Sequence, residues 1–153
     1  MRFSPRLKAI LSLVEGKVLA DIGTDHGFLP IAACLENRVR RAVACDRMPG
    51  PLARAEANIR QYGLEDRIET RLGYGLEPLK PDEADCVVIA GMGGMNIVQI
   101  LQEPITIKRL VLQPQRDIPL VRAALDEMGF KIFNELTTED RGHTYTVLGA
   151  IYG

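Results

Sequence analysis

Asp21, Asp25 and His26 fall close together in the stretch LADIGTDHGFLP, residues 19–30. The apolar run KVLADI ends on the first of these acids. Gly23 and Gly27 follow, and then a second apolar stretch. This order turns a strand into a helix across a nucleotide-like ligand. Dinucleotide loops read G-x-G-x-x-G. Counted from Gly23, the second and third glycine positions hold Asp25 and Phe28. The middle glycine lets backbone approach a pyrophosphate, and a carboxylate there points negative charge at a dianion. NAD and FAD are therefore disfavoured. A cationic ligand suits the loop better. S-adenosylmethionine has no phosphate and carries a sulfonium and an ammonium, which Asp21 and Asp25 can face while Gly23, Thr24 and Gly27 make the turn. A tight strand–helix turn without a ligand is the alternative.

Other strand ends carry chemistry of the same kind. Asp46 closes the apolar run RAVACD, 23 residues past Gly23. An acid at about this distance takes ribose hydroxyls; capping the helix that follows is the competing role. Arg47 and Met48 come next, with Met48 placed to cover an adenine face. Gly73 and Tyr74 lie in LGYGL, a turn expected beside the adenine. Gly91, Met92, Gly93 and Gly94 form AGMGG, where glycines permit close backbone approach. The lysine and Ser/Thr of a phosphate-cradling loop are missing there. Gln113 and Gln115 flank Pro114. Gln113 can offer a donor and an acceptor to a base edge, or simply end a strand.

These residues need a scaffold, and the chain alternates strand and helix patterns. SPRLKAILSLV has helical spacing, with Ser4 as N-cap and Pro5 at the first helical position, giving an N-terminal helix over about 4–14. Strands are expected at KVLADIG, RAVACD, RIETRLG, ADCVVIAGMGG and KRLVLQPQ. Helices are expected at FLPIAACLEN, PLARAEANIRQYG, MNIVQILQE and DIPLVRAALDEMG. FKIFNELTTED and HTYTVLGAIYG finish as two strands joined by EDRG. Strand–helix alternation predicts an α/β fold with a parallel sheet covered by helices on both faces. The short last connection makes the final pair antiparallel. The expected fold is Rossmann-like, a class I methyltransferase shape: seven strands, mostly parallel, in one domain spanning 1–153. Ligands in such sheets sit at the carboxyl ends of the strands.

Composition narrows the partners. The 153 residues carry a formal net charge of −1, so no global field draws nucleic acid or membrane. A nucleic-acid partner must use a local patch. Arg2, Arg6 and Lys8, or Arg38, Arg40 and Arg41, are candidates; solvated flanks are the alternative. Cys34, Cys45 and Cys86 form no CxxC pair and lie in apolar segments. They read as buried small hydrophobes of a reducing cytosol. With two histidines far apart, His26 and His143, no metal is expected. No signal peptide or membrane span is expected, which places the protein in the cytoplasm. Oligomeric state is not legible.

Taken in order, FSPRLKAI, LADIGTDHGFLPI, GPLARAEANI, RLGYGL, DCVVIAGMGG and LVLQPQ resemble the bacterial tRNA (adenine-22-N1)-methyltransferases, the TrmK family. The resemblance spans nearly the whole chain. It implies a class I methyltransferase fold, S-adenosylmethionine as donor and tRNA adenine N1 as acceptor. Three features depart from the family. Tyr74 stands where a polar or acidic residue is usual, Tyr145-Thr146 replaces Tyr-Glu in the last strand, and the chain stops at Gly153 where the family continues into a helical coiled coil. The chain is accordingly expected to be an excised catalytic domain or a short form.

An in-line methyl transfer to adenine N1 follows. Asp25 can stabilise the cationic product, and His26 can position the base, relay a proton or merely cap a helix. Gly93, Gly94, Asn96, Gln113 and Gln115 are candidates for the acceptor pocket. Arg6 is a candidate phosphate contact, and Tyr145 can stack on a base or simply pack. Two other functions compete: a small-molecule methyltransferase on the same fold, and a non-catalytic RNA-binding module with a vestigial cofactor pocket.

Overall fold

A computed structural model describes residues 3–153; Arg2, a candidate basic-patch residue, lies outside the described residues. The first helix, α1 (Pro5–Ser12), starts as its sequence dictates. Ser4 is the N-cap, its hydroxyl accepts from the Leu7 amide at 3.1 Å, and Pro5 opens the helix. It ends two residues before the periodicity suggests. Then follow β1 (Val18–Ile22), α2 (Phe28–Leu35), β2 (Arg41–Asp46), α3 (Pro49–Gln61), β3 (Ile68–Leu72), β4 (Cys86–Met92), α4 (Gly94–Leu101), β5 (Arg109–Pro114), α5 (Ile118–Glu127), β6 (Phe130–Asp140) and β7 (His143–Tyr152).

The strands form one sheet in the order β3-β2-β1-β4-β5-β7-β6. The first five are parallel; β7 runs antiparallel to both β5 and β6. The expected α/β fold, with its parallel sheet and antiparallel closing pair, is the observed one. Helices cover both faces because alternate strand residues serve different cores. Leu19, Ala44, Val88 and Val111 point into a cluster with α1, α2 and Ile59 of α3. Ala20, Val43, Ile89 and Leu112 point into the other, with α4 and α5.

Two local features shape the functional edge. The β4–β5 register shifts between Ala90 and Met92, and Gly91 sits there at φ +76°, a conformation natural to glycine. The β6–β7 hairpin is long, pairing as far as Asp140 with His143. Its turn therefore stands at the same edge as the carboxyl ends of the parallel strands. The three cysteines are free and buried, as small core hydrophobes should be. Arg40 and Arg41 are exposed at the amino end of β2. That places them at the edge away from the strand carboxyl ends. No helix among the described residues is long and apolar enough to cross a membrane.

Candidate active site

A cavity of about 830 Å³ opens where β1 and β4 end. Its floor is the loop after β1. The Gly23 and Thr24 amides donate to the Cys45 carbonyl at 3.0 and 2.8 Å. The Asp25 amide donates to Asp46 Oδ2 at 3.1 Å, and the Met48 amide to Asp46 Oδ1 at 3.0 Å. One carboxylate thus ties the loop after β1 to the loop after β2. It is not a helix cap in the expected sense: the N-cap of α3 is Met48, with no side-chain capping bond. Each Asp46 oxygen keeps an unused lone pair. The next turn joins the same point, since the Gly73 amide donates to the Asp46 carbonyl at 2.9 Å.

Glycines let the walls approach. Gly23 has φ +74°, and a Cβ on it would meet the Met92 methyl at 2.9 Å. Gly27, also at positive φ, begins α2, and a Cβ there would lie 3.0 Å from that of Ala55. Its role is packing of α2 against α3.

Asp21 is the charged centre of the floor. It is 5% exposed, and its Oδ2 accepts the Thr24 hydroxyl at 2.8 Å. Burial pushes its carboxyl from 3.8 up to about 7, and the charge of Asp46 adds to the rise. The Thr24 bond and the Arg6 guanidinium pull the other way. Such an acid welcomes a cation. At the mouth, the His26 ring stacks on Phe28, with centroids 5.3 Å apart and planes at 17°. Its Nε2 lies 3.6 Å from Asp25 Oδ2, and Arg54 approaches the other Asp25 oxygen at 3.4 Å.

The cavity wall brings together Arg6, Asp21, Gly23, Thr24, Asp25, His26, Gly91, Met92, Gln115 and Tyr145. Asp46 supports it from behind. Gly27, Arg47, Met48, Gly73, Tyr74, Gly93, Gly94, Asn96 and Gln113 lie off this wall. Gly93 and Gly94 are buried against the start of α5; a Cβ on Gly94 would meet the Arg116 and Asp117 carbonyls at 2.7 Å. Asn96, Arg47, Met48 and Tyr74 are exposed. Gln113 lines a second hollow of about 370 Å³ that shares Gln115 and Tyr145 with the first. Phe3, Asp140 and Arg141 also line the main cavity, and sequence reasoning missed them. EDRG signals only a turn; the length and register of the hairpin decide where that turn goes. Among the described residues, no three His, Cys, Asp or Glu side chains gather to hold a metal.

The arrangement fits a ligand that carries positive charge, needs no phosphate cradle and offers hydroxyls to an acid. Comparison with known proteins points the same way. Residues 3–148 match the methyltransferase domain family. A tRNA (adenine(22)-N(1))-methyltransferase of Bacillus subtilis is 37% identical over 158 aligned positions, covering 100% of this chain and 66% of that protein. The chain belongs to the tRNA (adenine(22)-N(1))-methyltransferase family. M. capricolum TrmK, solved with S-adenosyl-homocysteine, superposes with a TM-score of 0.93 at 30% identity, covering 100% of this chain and 70% of that one. A Streptococcus pneumoniae relative solved with S-adenosyl-L-methionine gives a TM-score of 0.94 at 34% identity, covering 99% and 74%. The chain thus spans about two thirds to three quarters of the length of these family members.

Proposed function

We propose that the protein transfers a methyl group from S-adenosylmethionine to N1 of adenine 22 in tRNA. The observation that carries this reading is the buried Asp21 carboxyl on the floor of a cavity at the strand carboxyl ends, in a chain of this family. S-adenosylmethionine, when bound, supplies an electrophilic methyl on a sulfonium. The protein's work is then position and charge.

Asp46 uses its spare lone pairs on the ribose hydroxyls, held in place by the Asp25 and Met48 amides. Asp21 faces the positive charge of the methionine half. Gly23 and Gly91 bring backbone close to the ligand. Met48, Gly73 and Tyr74, in the turns tied to Asp46 on the open side of the site, would hold the adenine. Adenine N1 carries an in-plane lone pair, so no base is needed to begin. Near-attack geometry alone is worth about 7–11 kcal/mol at best. The stacked His26–Phe28 pair positions the acceptor base at the mouth, and Asp25 faces the cation that methylation leaves on the adenine.

N1 is hidden in a duplex, so the target base must leave its stack. RNA also needs cations near the mouth, because the chain as a whole is slightly acidic. Arg54, Arg116 and Arg141 are exposed around the strand carboxyl ends, and their contacts with phosphates make binding fall with salt. Calorimetric titration tests the cofactor assignment. Micromolar binding of S-adenosylmethionine with none of NAD is expected. Binding of NAD, or of neither by folded protein, would remove the basis of the reading.

A further inference from the structure

The sheet splits at its functional edge. β5 and β7 pair from Arg109 with Ile151 to Leu112 with Leu148, while β7 stays paired with β6 down to His143. Over residues 143–147 the other edge of β7 has no strand beside it among the described residues. The gap is the hollow of about 370 Å³, bordered by the end of β5, by Gln115 and Ile118, and by His143, Thr144, Tyr145 and Thr146. Neighbouring residues of a strand point to opposite faces, and both sets reach this hollow because it lies in the line of the sheet. The scheme above gives it no task.

Its lining holds no Asp, Glu, Lys or Arg, whereas the main cavity holds Arg6, Asp21, Asp25, Asp140 and Arg141. Gln113 is wall rather than reader. It is 1% exposed, its Oε1 accepts the Gly91 amide at 3.2 Å and the Arg6 Nε at 2.9 Å, and its Nε2 donates to the Pro114 carbonyl at 3.1 Å. Both lone pairs of its amide oxygen are thus used inside the protein. The Gln115 side-chain amide and the Thr144 and Thr146 hydroxyls make no hydrogen bond among the described residues. Tyr145 is a fixed partition that lines both cavities. The Arg6 guanidinium carbon lies 5.4 Å from its ring centre, and the His143 ring meets it edge-on with centroids 6.3 Å apart. An unpaired strand edge is a row of donors and acceptors. Set beside unspent hydroxyls, an amide and an aromatic wall, it suits a flat, uncharged molecule with donors and acceptors along its rim, which describes an unstacked nucleobase.

We propose that this hollow binds the nucleobase next to the target adenine, so that the protein reads a flanking nucleotide of the RNA it methylates. This rests on the tRNA methylation reading. The target base itself belongs elsewhere. Its N1 must come within about 3–3.5 Å of the methyl group, over the cavity of Asp21, Asp25 and His26, and none of these lines the hollow. The neighbouring base loses a stacking partner when the target leaves its stack, and the shared wall of Gln115 and Tyr145 puts the hollow beside the acceptor's place.

The test is methyl transfer to the tRNA transcript, intact or with an abasic nucleotide immediately before or immediately after adenine 22. Stacking of one base predicts that the wild type shows a KM raised about 5- to 150-fold on one of the two abasic transcripts, with kcat held. His143→Ala and Thr146→Val raise KM for the intact transcript and narrow its gap from that abasic one, while Tyr145→Phe, which keeps the ring, retains the gap. Calorimetry finds S-adenosylmethionine affinity unchanged in His143→Ala and Thr146→Val, and thermal melts establish that each variant is folded. Equal KM on all three transcripts with the wild type would overturn the proposal alone. So would a gap undiminished in His143→Ala and Thr146→Val, the mark of an abasic effect on the tRNA itself. A fall in kcat with KM unchanged in those variants would put the target base in the hollow instead, and weakened S-adenosylmethionine would make it part of the cofactor site. No label in any transcript from wild type that binds S-adenosylmethionine would overturn the tRNA methylation reading and this proposal with it.

Discussion

Asp21 makes cofactor affinity depend on pH, and the size of the effect follows from its burial. With its carboxyl raised to about 7, half of the protein carries a neutral Asp21 at neutral pH. If only the ionised form faces the ligand's cation, apparent affinity scales with the ionised fraction. That fraction rises about fifteenfold between pH 5.5 and 7. This window lies below the titration of a free α-amino group, so the ligand keeps its charge throughout. Asp21→Asn removes the acid and keeps a side chain able to bond Thr24. Titration calorimetry of S-adenosylmethionine across the window reads the slope. The wild type tightens about fifteenfold as pH rises. Asp21→Asn binds weakly and without that slope, while a His26→Gln control keeps it. Folding moves in the opposite direction. The folded carboxyl titrates above its unfolded value, so the unfolded chain ionises first. Stability is unaffected below about pH 4, falls as pH rises toward 7, and stays lowered above it. The full penalty is about 4 kcal/mol as an upper figure. Asp21→Asn should therefore melt higher than the wild type at pH 8 and no higher at pH 4. A flat wild-type affinity profile, or a slope that survives in Asp21→Asn, would refute the reasoning.

Further outcomes follow from the same geometry. Asp46→Ala removes the ribose acceptor and unties the Asp25 and Met48 amides, so S-adenosylmethionine affinity should fall at least tenfold by calorimetry; unchanged affinity contradicts the assignment. His26→Ala should lower kcat more than it weakens the cofactor, measured by methyl transfer beside calorimetry, and equal losses would speak against a role toward the acceptor base. Gly27→Ala places a side chain at φ +75° and 3.0 Å from the Ala55 methyl, and should cost about 1–2 kcal/mol or more in denaturant unfolding. Adding Ala55→Gly should recover the contact part of that loss but not the backbone part.

Much of the fold was legible because each strand announces itself. Runs such as VLADI and CVVIAGM are apolar on both faces and carry an acid or a glycine just before their last residue, the pattern of a parallel strand between two helical layers. Helix ends were less legible. α3 begins at Pro49, two residues before the expected start, because Met48 serves as N-cap through its backbone alone. The loop after β1 was legible for the same local reason, since Gly23, Asp25 and Gly27 must take left-handed conformations there. Residues brought in from a distance were not. Asp140 and Arg141 reach the cavity through the reach of a hairpin, and its β6–β7 register shifts between Ile132 and Asn134. Nothing local to EDRG encodes that. Arg6 and Gln113 were both singled out, yet the bond between them joins residues 107 positions apart. Spacing along the chain does not reveal such a partnership.

Methyl transfer to defined RNA tests the central claim most directly. Two transcripts of one tRNA, with adenine or guanine at position 22, are incubated with the protein and radiolabelled S-adenosylmethionine. The account predicts label in the first transcript only, with reverse transcription halting one nucleotide before it copies position 22, as N1 methylation blocks base pairing. Equal label in both transcripts, or none from protein that binds S-adenosylmethionine, would contradict it.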